Sequence, residues 1–182
     1  DVDGDQSTND SVLLIANGAA EGQLIEFDSD ACNEFIDALS YVCTELAKEL
    51  VRDGEGAQRL IEVMVEGAKS EGDACNAARS VSSSNLVKAM VHGRDPNWGR
   101  IMMAVGKSNA MLEELKIDIY INDIHIVHEG VSIPFFKDAV ISAMSAPEVK
   151  FRVNLNLGKC TATAWSCDLT EEYVTFNSAY ST

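Results

Sequence analysis

Four of the first ten residues, DVDGDQSTND, are aspartates, and aspartates at this spacing could bind a metal ion. A calcium loop of the EF-hand type needs oxygen ligands at positions 1, 3 and 5, a glycine at 6 and a glutamate at 12. Asp1, Asp3 and Asp5 meet the first condition. However, the sixth residue is Gln6 and the twelfth is Val12. The stretch therefore favours a turn at its D-G dipeptide over a calcium loop.

A second carboxylate, Glu55, lies between two glycines in the stretch VRDGEGA. Backbone flanked by Gly54 and Gly56 can adopt positive φ and allows a ligand to approach closely. The same composition is also ordinary for a polar turn that joins two elements. Residue types alone leave both interpretations open.

The stretch HGRDPNWGRI gathers His92, Arg94, Asp95, Trp98 and Arg100 around two glycines and a proline. Arginine and tryptophan make directed polar and stacking contacts, so a carboxylate-binding site is one interpretation. The other is a loop held by Asp–Arg pairs around a buried tryptophan, and the pattern slightly favours this structural role.

His125 and His128 form an H-x-x-H pattern followed by Glu129. On a regular strand, residues three apart point to opposite faces, so the spacing predicts no metal site. The sequence also contains no G-x-S-x-G, Walker A or G-x-G-x-x-G motif. These residues do not amount to a self-contained catalytic site.

Composition narrows the class of protein. The 182 residues carry a net charge of −15, which argues against nucleic acid and anionic membranes as partners. No apolar run approaches the ~20 residues of a membrane span. Five cysteines without a C-x-x-C pair favour reduced thiols in a cytoplasmic protein. The first residue is not Met, which suggests a processed or shortened product.

Apolar periodicity predicts the elements that must position these residues. Helices are expected over 12–15, 28–51, 72–92, 97–105 and 135–145, the first closed by Asn17-Gly18 and the third weakened at its three serines. Strands are expected over 59–65, 116–122, 149–157 and 161–166, with the last two paired through Gly158-Lys159. The fold class is α/β with a mixed or antiparallel sheet. Residues 1–110 are expected to form a main α/β part and 111–182 a β-rich part.

Four blocks together resemble the C-terminal (β) chain of the ornithine acetyltransferase family, also called bifunctional glutamate N-acetyltransferase. They are DVDGDQSTND with VLLIANGAA, VRDGEGA, SNLVKAMVHGRDPNWGRI, and AWSCDLTEEYVTFNSAYST. They occur in the family's order and span the chain from Asp1 to Thr182. The resemblance implies the ornithine acetyltransferase fold, with 1–110 shared with an α chain.

The resemblance also implies an activity. In this family, the precursor cleaves itself before a threonine, which takes an acetyl group from N-acetylornithine and passes it to glutamate. That threonine is expected upstream of Asp1, so no catalytic residue is expected in this chain. The implied partner is the α chain of the same precursor, in an α2β2 heterotetramer. No cofactor is implied, although bifunctional members also use acetyl-CoA as a co-substrate.

Three residues match the family's substrate-binding positions, namely Glu55, Asn177 and Thr182. A carboxylate suits a cationic amine, and an amide with a hydroxyl suits an amino-acid carboxylate. The alternative to an enzyme subunit is a non-catalytic fragment that serves in assembly or ligand binding.

Overall fold

A single six-stranded mixed sheet organises the chain. In this computed structural model, which describes residues 1–179, the strand order is β4-β3-β2-β5-β1-β6. The neighbouring strands β1 and β5 run parallel, and all other neighbours pair antiparallel. The strands are β1 (Leu60–Ala68), β2 (Asp118–Ile121), β3 (Ile124–His128), β4 (Val131–Ser132), β5 (Glu148–Asn154) and β6 (Cys160–Cys167). The sheet therefore contains strands from both predicted parts, 1–110 and 111–182.

Within residues 1–179, six α-helices accompany the sheet. They are α1 (Asp30–Arg52), α2 (Glu71–Ser82), α3 (Asn85–His92), α4 (Trp98–Gly106), α5 (Lys137–Ala143) and α6 (Glu171–Ala179), with a 3₁₀ turn at Glu114–Lys116. The Ser29 side chain caps α1 and Ser70 caps α2. The predicted helix over 72–92 is broken at the serine run, where Ser83 ends α2 and Ser84 precedes α3. The sequence did not predict α6.

Strict alternation gives the sheet two different faces. Ile61, Val63 and Val65 of β1 are fully buried beneath the helices, as is Phe151 of β5. On the other face, charged side chains pair across strands, with Arg152 on β5 bonded to Glu66 of β1 at 3.0 Å. The period-two pattern in the sequence thus predicted both the strands and the buried face.

The predicted pairing of 149–157 with 161–166 is wrong. β6 pairs with β1, and β1 lies between β6 and β5. The connection from β5 crosses the end of β1, where the amides of Leu155 and Leu157 donate to Glu66 and Gly67. A Cβ on Gly158 would lie 2.3 Å from the Ala68 carbonyl oxygen, so glycine permits this crossing and does not form a hairpin turn.

The predicted helix over 12–15 is also wrong, because these residues form no regular secondary structure. Their side chains are 70–89% exposed. Four consecutive apolar residues cannot all share one face of a helix, and such runs are typical of strands buried on both sides. The Asn17-Gly18 turn does form, with the Ala19 amide donating to the Asn17 side chain.

The apolar stripe predicted for the first long helix lies largely on the surface of α1. Phe35, Ile36, Val42, Leu46 and Leu50 are 49–63% exposed. Together with residues 12–15, they form an apolar surface of unusual extent for a domain that acts alone. In the described part of the chain, no helix combines the length and apolar character needed to span a membrane.

Candidate functional site

Glu55 lies in the turn that follows α1 and leads to β1. The backbone here is tightly bonded, because the Gly54 amide donates to Val51 O and the Ala57 amide donates to Gly54 O. The Glu55 side chain is exposed. The turn therefore fixes the backbone of Glu55 while leaving its carboxylate accessible.

Gly56 brings the last helix against this turn. Its φ is +70°, and a Cβ there would lie 2.7 Å from Thr170 Oγ1 and 2.9 Å from the Tyr173 amide nitrogen. The Thr170 hydroxyl donates to Gly56 O at 2.9 Å. Glycine is needed here for two reasons. It adopts the positive φ without strain, and its lack of a side chain lets the first turn of α6 pack directly against the backbone.

This packing joins two of the predicted site residues that are far apart in sequence. The Asn177 side-chain amide donates to the Glu55 carboxylate and to the carbonyl oxygen of Tyr173, the latter at 3.0 Å. Both side chains are exposed. Thr182, the third predicted residue, lies outside the residues that the structure describes. The structure therefore brings Glu55 and Asn177 into one exposed polar cluster.

Negative charge dominates the surroundings of Glu55. The Tyr173 hydroxyl donates to Asp3 Oδ2 at 3.0 Å. Burial raises the pKa of Tyr173, and so do the hydrogen bond to Asp3 and the charges of Asp3, Glu55 and Asp5. This environment favours the binding of a cation over that of an anion.

The aspartate-rich stretch adopts the turn that the sequence favoured. The Gly4 amide donates to Asp1 Oδ1, and the Asp5 amide donates to Asp3 Oδ1. Lys88, which is fully buried on α3, donates to Val2 O, and its Nζ lies 3.7 Å from Asp1 Oδ1. Burial lowers the pKa of Lys88, although nearby acidic groups oppose this shift. A buried cation thus holds the stretch beside the Glu55 turn.

Asp168 fixes the start of β1 through hydrogen bonds. Its buried Oδ1 accepts from the amides of Gln58 and Arg59, and its Oδ2 accepts from the Arg59 guanidinium. His92 Nε2 lies 3.0 Å from Glu171 at the start of α6. Asp168 and Tyr173 were not predicted to take part, because isolated polar residues in AWSCDLTEEY show no periodicity that marks them.

The HGRDPNWGRI stretch joins the end of α3 to the start of α4 through the loop 93–97. The Arg100 guanidinium donates to Leu86 O at 3.1 Å and lies 3.8 Å from Asp95. Trp98 packs against the hydrophobic core. These contacts match the structural interpretation favoured by the sequence, in which an Asp–Arg pair supports a loop.

His125 and His128 do not point to opposite faces of the strand, so the prediction from their spacing is wrong. A bulge interrupts the pairing of β2 with β3, since Ile119 opposes Val127 while Tyr120 opposes His125. One extra residue on a strand shifts the alternation. Both imidazoles consequently lie beside Asp118, with His128 Nδ1 at 2.9 Å and His125 Nε2 at 3.9 Å from its Oδ1.

The ArgJ family model matches residues 1–182. The chain belongs to the ArgJ family. This membership confirms the resemblance seen in the aspartate-rich, DGEG, NWGRI and C-terminal blocks. A crystal structure of arginine biosynthesis bifunctional protein ArgJ from Bacillus halodurans matches with a TM-score of 0.95 and 40% identity, over 99% of this chain and 85% of that chain. The predicted ornithine acetyltransferase fold is confirmed by this similarity.

Two ArgJ-family relatives show how much of a family member is present. The arginine biosynthesis bifunctional protein ArgJ of Symbiobacterium thermophilum is 47% identical over 181 residues, which are 100% of this chain and 45% of that protein. The glutamate N-acetyltransferase of Methanopyrus kandleri is 48% identical over 185 residues, which are 100% of this chain and 47% of that protein. The chain thus spans about half the length of the curated relatives it matches.

Proposed function

We propose that this chain is part of a glutamate N-acetyltransferase that moves an acetyl group from N2-acetylornithine to glutamate in arginine biosynthesis. The contact between Asn177 and Glu55 carries the proposal, because it places an amide and a carboxylate at one exposed position. Relatives named for glutamate N-acetyltransferase and for arginine biosynthesis support the reaction.

The transfer takes place in two steps. The hydroxyl of a threonine that precedes Asp1 attacks the acetyl carbonyl of N2-acetylornithine, and the C–N bond breaks as the ornithine amine leaves with a proton. The α-amine of glutamate then attacks the threonine ester, which regenerates the hydroxyl. Splitting one difficult transfer into two acyl transfers is the advantage of covalent catalysis.

Glu55, Asn177 and Thr182 bind the amino-acid substrates in this proposal. The carboxylate of Glu55 suits the cationic side-chain amine of ornithine, in surroundings that Asp3 and Asp5 make more negative. The Asn177 amide suits a substrate carboxylate when it exchanges Glu55 for the ligand, and the Thr182 hydroxyl complements it. These roles agree with a chain that positions substrates for a nucleophile outside it.

The partner in this proposal is the α chain of the same precursor, in an α2β2 heterotetramer located in the cytoplasm. The exposed stripe of α1 and the exposed residues 12–15 support a partner that covers apolar surface. Leu24 and Phe27 are also exposed, at 89% and 87%. All of these residues belong to 1–110, the part expected to be shared with the α chain.

Steady-state kinetics of the complete protein test the reaction. N2-acetylornithine and glutamate are varied together while ornithine release is followed, and we expect the parallel double-reciprocal lines of a ping-pong mechanism. Replacing N2-acetylornithine with acetyl-CoA in the same assay shows whether acetyl-CoA is a second donor. An absence of ornithine release would contradict the proposal.

A further inference from the structure

A second group of polar side chains lies at the other end of the sheet, far from Glu55. Asp118 pairs with Asn154 of β5, which in turn pairs with Glu66 of β1. Glu55 precedes Leu60, the first residue of β1. Glu66 lies six residue steps beyond Leu60, about 20 Å along the strand direction. The Asp118 group therefore takes no part in the proposed acetyl transfer.

Asp118, His125 and His128 bring three metal-ligating side chains together. Their ligand atoms all lie within 4.8 Å of one another. The bulge produces this arrangement, because Ile126 and Val127 are consecutive yet both buried. The histidines that flank them consequently share the outer face with Asp118. Bulges of this kind often re-aim side chains at functional sites.

Asp118 is held in place by its own chain. Its Oδ1 accepts from the Glu129 amide at 2.9 Å, and its Oδ2 accepts from the Asn156 side-chain amide at 2.9 Å. The carboxylate side chain is only 13% exposed. Hydrogen bonds to a carboxylate are what orients it as a metal ligand.

His125 presents a donor atom that has no partner among the described residues. Its Nε2 is buried and makes no hydrogen bond. The ring stacks on Tyr120 with 4.2 Å between centroids, which fixes its plane. A buried, unpaired ring nitrogen beside a carboxylate is unfavourable unless something binds it.

We propose that Asp118, His125 and His128 bind one zinc ion. Zinc accepts two imidazole nitrogens and one carboxylate oxygen, leaving a fourth position for water. Ligand bonds of about 2.0–2.2 Å place tetrahedral ligand atoms about 3.3 Å apart. The separations from Asp118 Oδ1 to His128 Nδ1 and His125 Nε2, 2.9 and 3.9 Å, lie on either side of that value.

Two neighbouring side chains affect how the site would bind a metal. His128 would give up its hydrogen bond to Asp118 and bind the metal with the same nitrogen, and its side chain can move because it is 53% exposed. Arg152 lies 3.7 Å from the centroid of the Tyr120 ring and is a nearby cation. The ion pair between Arg152 and Glu66, at 3.0 Å, offsets the positive charge of the guanidinium. The net charge of the whole chain, −15, also favours the binding of a cation.

A metal titration of the complete protein tests this site. The protein is first treated with a chelator and dialysed, then titrated with Co²⁺ as a visible-absorbing substitute and with Zn²⁺ in competition. We expect one ion per copy of this chain, with a cobalt spectrum of nitrogen and oxygen ligands and no thiolate charge-transfer band. His128→Ala and His125→Ala should each lower zinc affinity at least about 100-fold, since losing even a group that only hydrogen-bonds a ligand costs about 10–100-fold.

Two matched variants control for other ligands. His92→Ala removes the third histidine and Cys75→Ser removes an exposed thiol, and both should bind zinc like the wild type. Circular dichroism of His128→Ala should match the wild type, because that side chain is half exposed. Failure of the wild type to bind zinc would overturn the proposal. So would a thiolate band, or wild-type affinity in both His125→Ala and His128→Ala.

Discussion

Glu55 and Asp118 lie at opposite ends of the same sheet and differ in how the chain surrounds them. Asp118 is nearly buried and accepts hydrogen bonds from a backbone amide and from the side chains of Asn156 and His128. Glu55 is exposed, and the described contact of its carboxylate is with Asn177. Asp118 is thus positioned by hydrogen bonds within its own chain, whereas the Glu55 carboxylate can still accept hydrogen bonds from a ligand.

The same contrast holds for the apolar surface around each carboxylate. The strands beside Asp118 bury Ile119 and Ile121 completely. The α1 helix before Glu55 leaves Leu46 and Leu50 about 60% exposed. The proposed partner chain would therefore cover the Glu55 end, whereas the Asp118 end buries its apolar side chains within this chain.

Replacing Glu55 should have the largest effect on activity. Glu55→Gln in the complete protein removes the charge proposed to pair with the substrate amine. The value of kcat/KM for acetyl transfer should fall roughly 30-fold or more, since losing one partner of a hydrogen-bonded charge pair costs about 2–5 kcal/mol. The matched control is Glu113→Gln, which breaks only a surface pair with Lys116. Equal loss of activity in both variants would remove Glu55 from the site.

Gly56→Ala should separate α6 from the Glu55 turn. A φ of +70° and a Cβ 2.7 Å from Thr170 Oγ1 predict a loss of stability, with strain at such a position costing about 1–3 kcal/mol. Urea unfolding of the complete protein measures it.

Gly72→Ala is the matched control, because only Ser70 Oγ lies within reach, at 3.8 Å. Because Gly72 is only the second residue of α2, alanine there should leave stability unchanged or raise it by less than about 0.5 kcal/mol. A stability of Gly56→Ala equal to that of Gly72→Ala would contradict the packing described for α6.

Tyr173 offers the smallest and most local test of the negative charge beside Glu55. Asp3→Asn should lower the pKa of Tyr173 toward its ordinary value of 10.0, because it removes a hydrogen-bonded carboxylate. Ultraviolet titration of the tyrosines, with Tyr173→Phe to assign the signal, measures the change.

The sign of the matching pH effect follows from the direction of this shift. A raised pKa of Tyr173 means that its stabilising contribution is complete below pH 10 and is lost as the pH rises through the raised value. Asp123→Asn, on an exposed turn away from the site, should leave the titration unchanged. An unchanged titration in Asp3→Asn would contradict the bond between Asp3 and Tyr173.

Local patterns predicted most of the elements but not how they assemble. The alternation of Val149, Phe151 and Val153 gave both the strand and its buried face, because a period of two is a local property. The partner of β6 depends on β1, which lies 100 residues earlier, and no local pattern encodes that choice. The prediction for residues 12–15 was wrong for a related reason, since a run of apolar residues does not show whether its side chains are buried, and these stay 70–89% exposed.

In the candidate site, too, the residues could be predicted from the sequence but their contacts could not. Glu55 and Asn177 came from the resemblance of whole blocks, and their contact, across 122 positions, could not be read from either stretch alone. The geometry of a regular strand predicted that the two histidines of H-x-x-H point to opposite faces. A bulge at Ile126 places them on the same face, and bulges have no reliable sequence signal.

Denaturing mass spectrometry tests the acetyl-enzyme most directly. The complete protein is exposed briefly to N2-acetylornithine, denatured, and compared with an untreated sample. We expect a chain that begins with threonine, contains the sequence described above, and carries one added acetyl group that glutamate removes. A protein that turns over substrate without any acetylated chain would contradict the two-step mechanism, and one that neither turns over nor becomes acetylated would contradict the enzyme assignment itself.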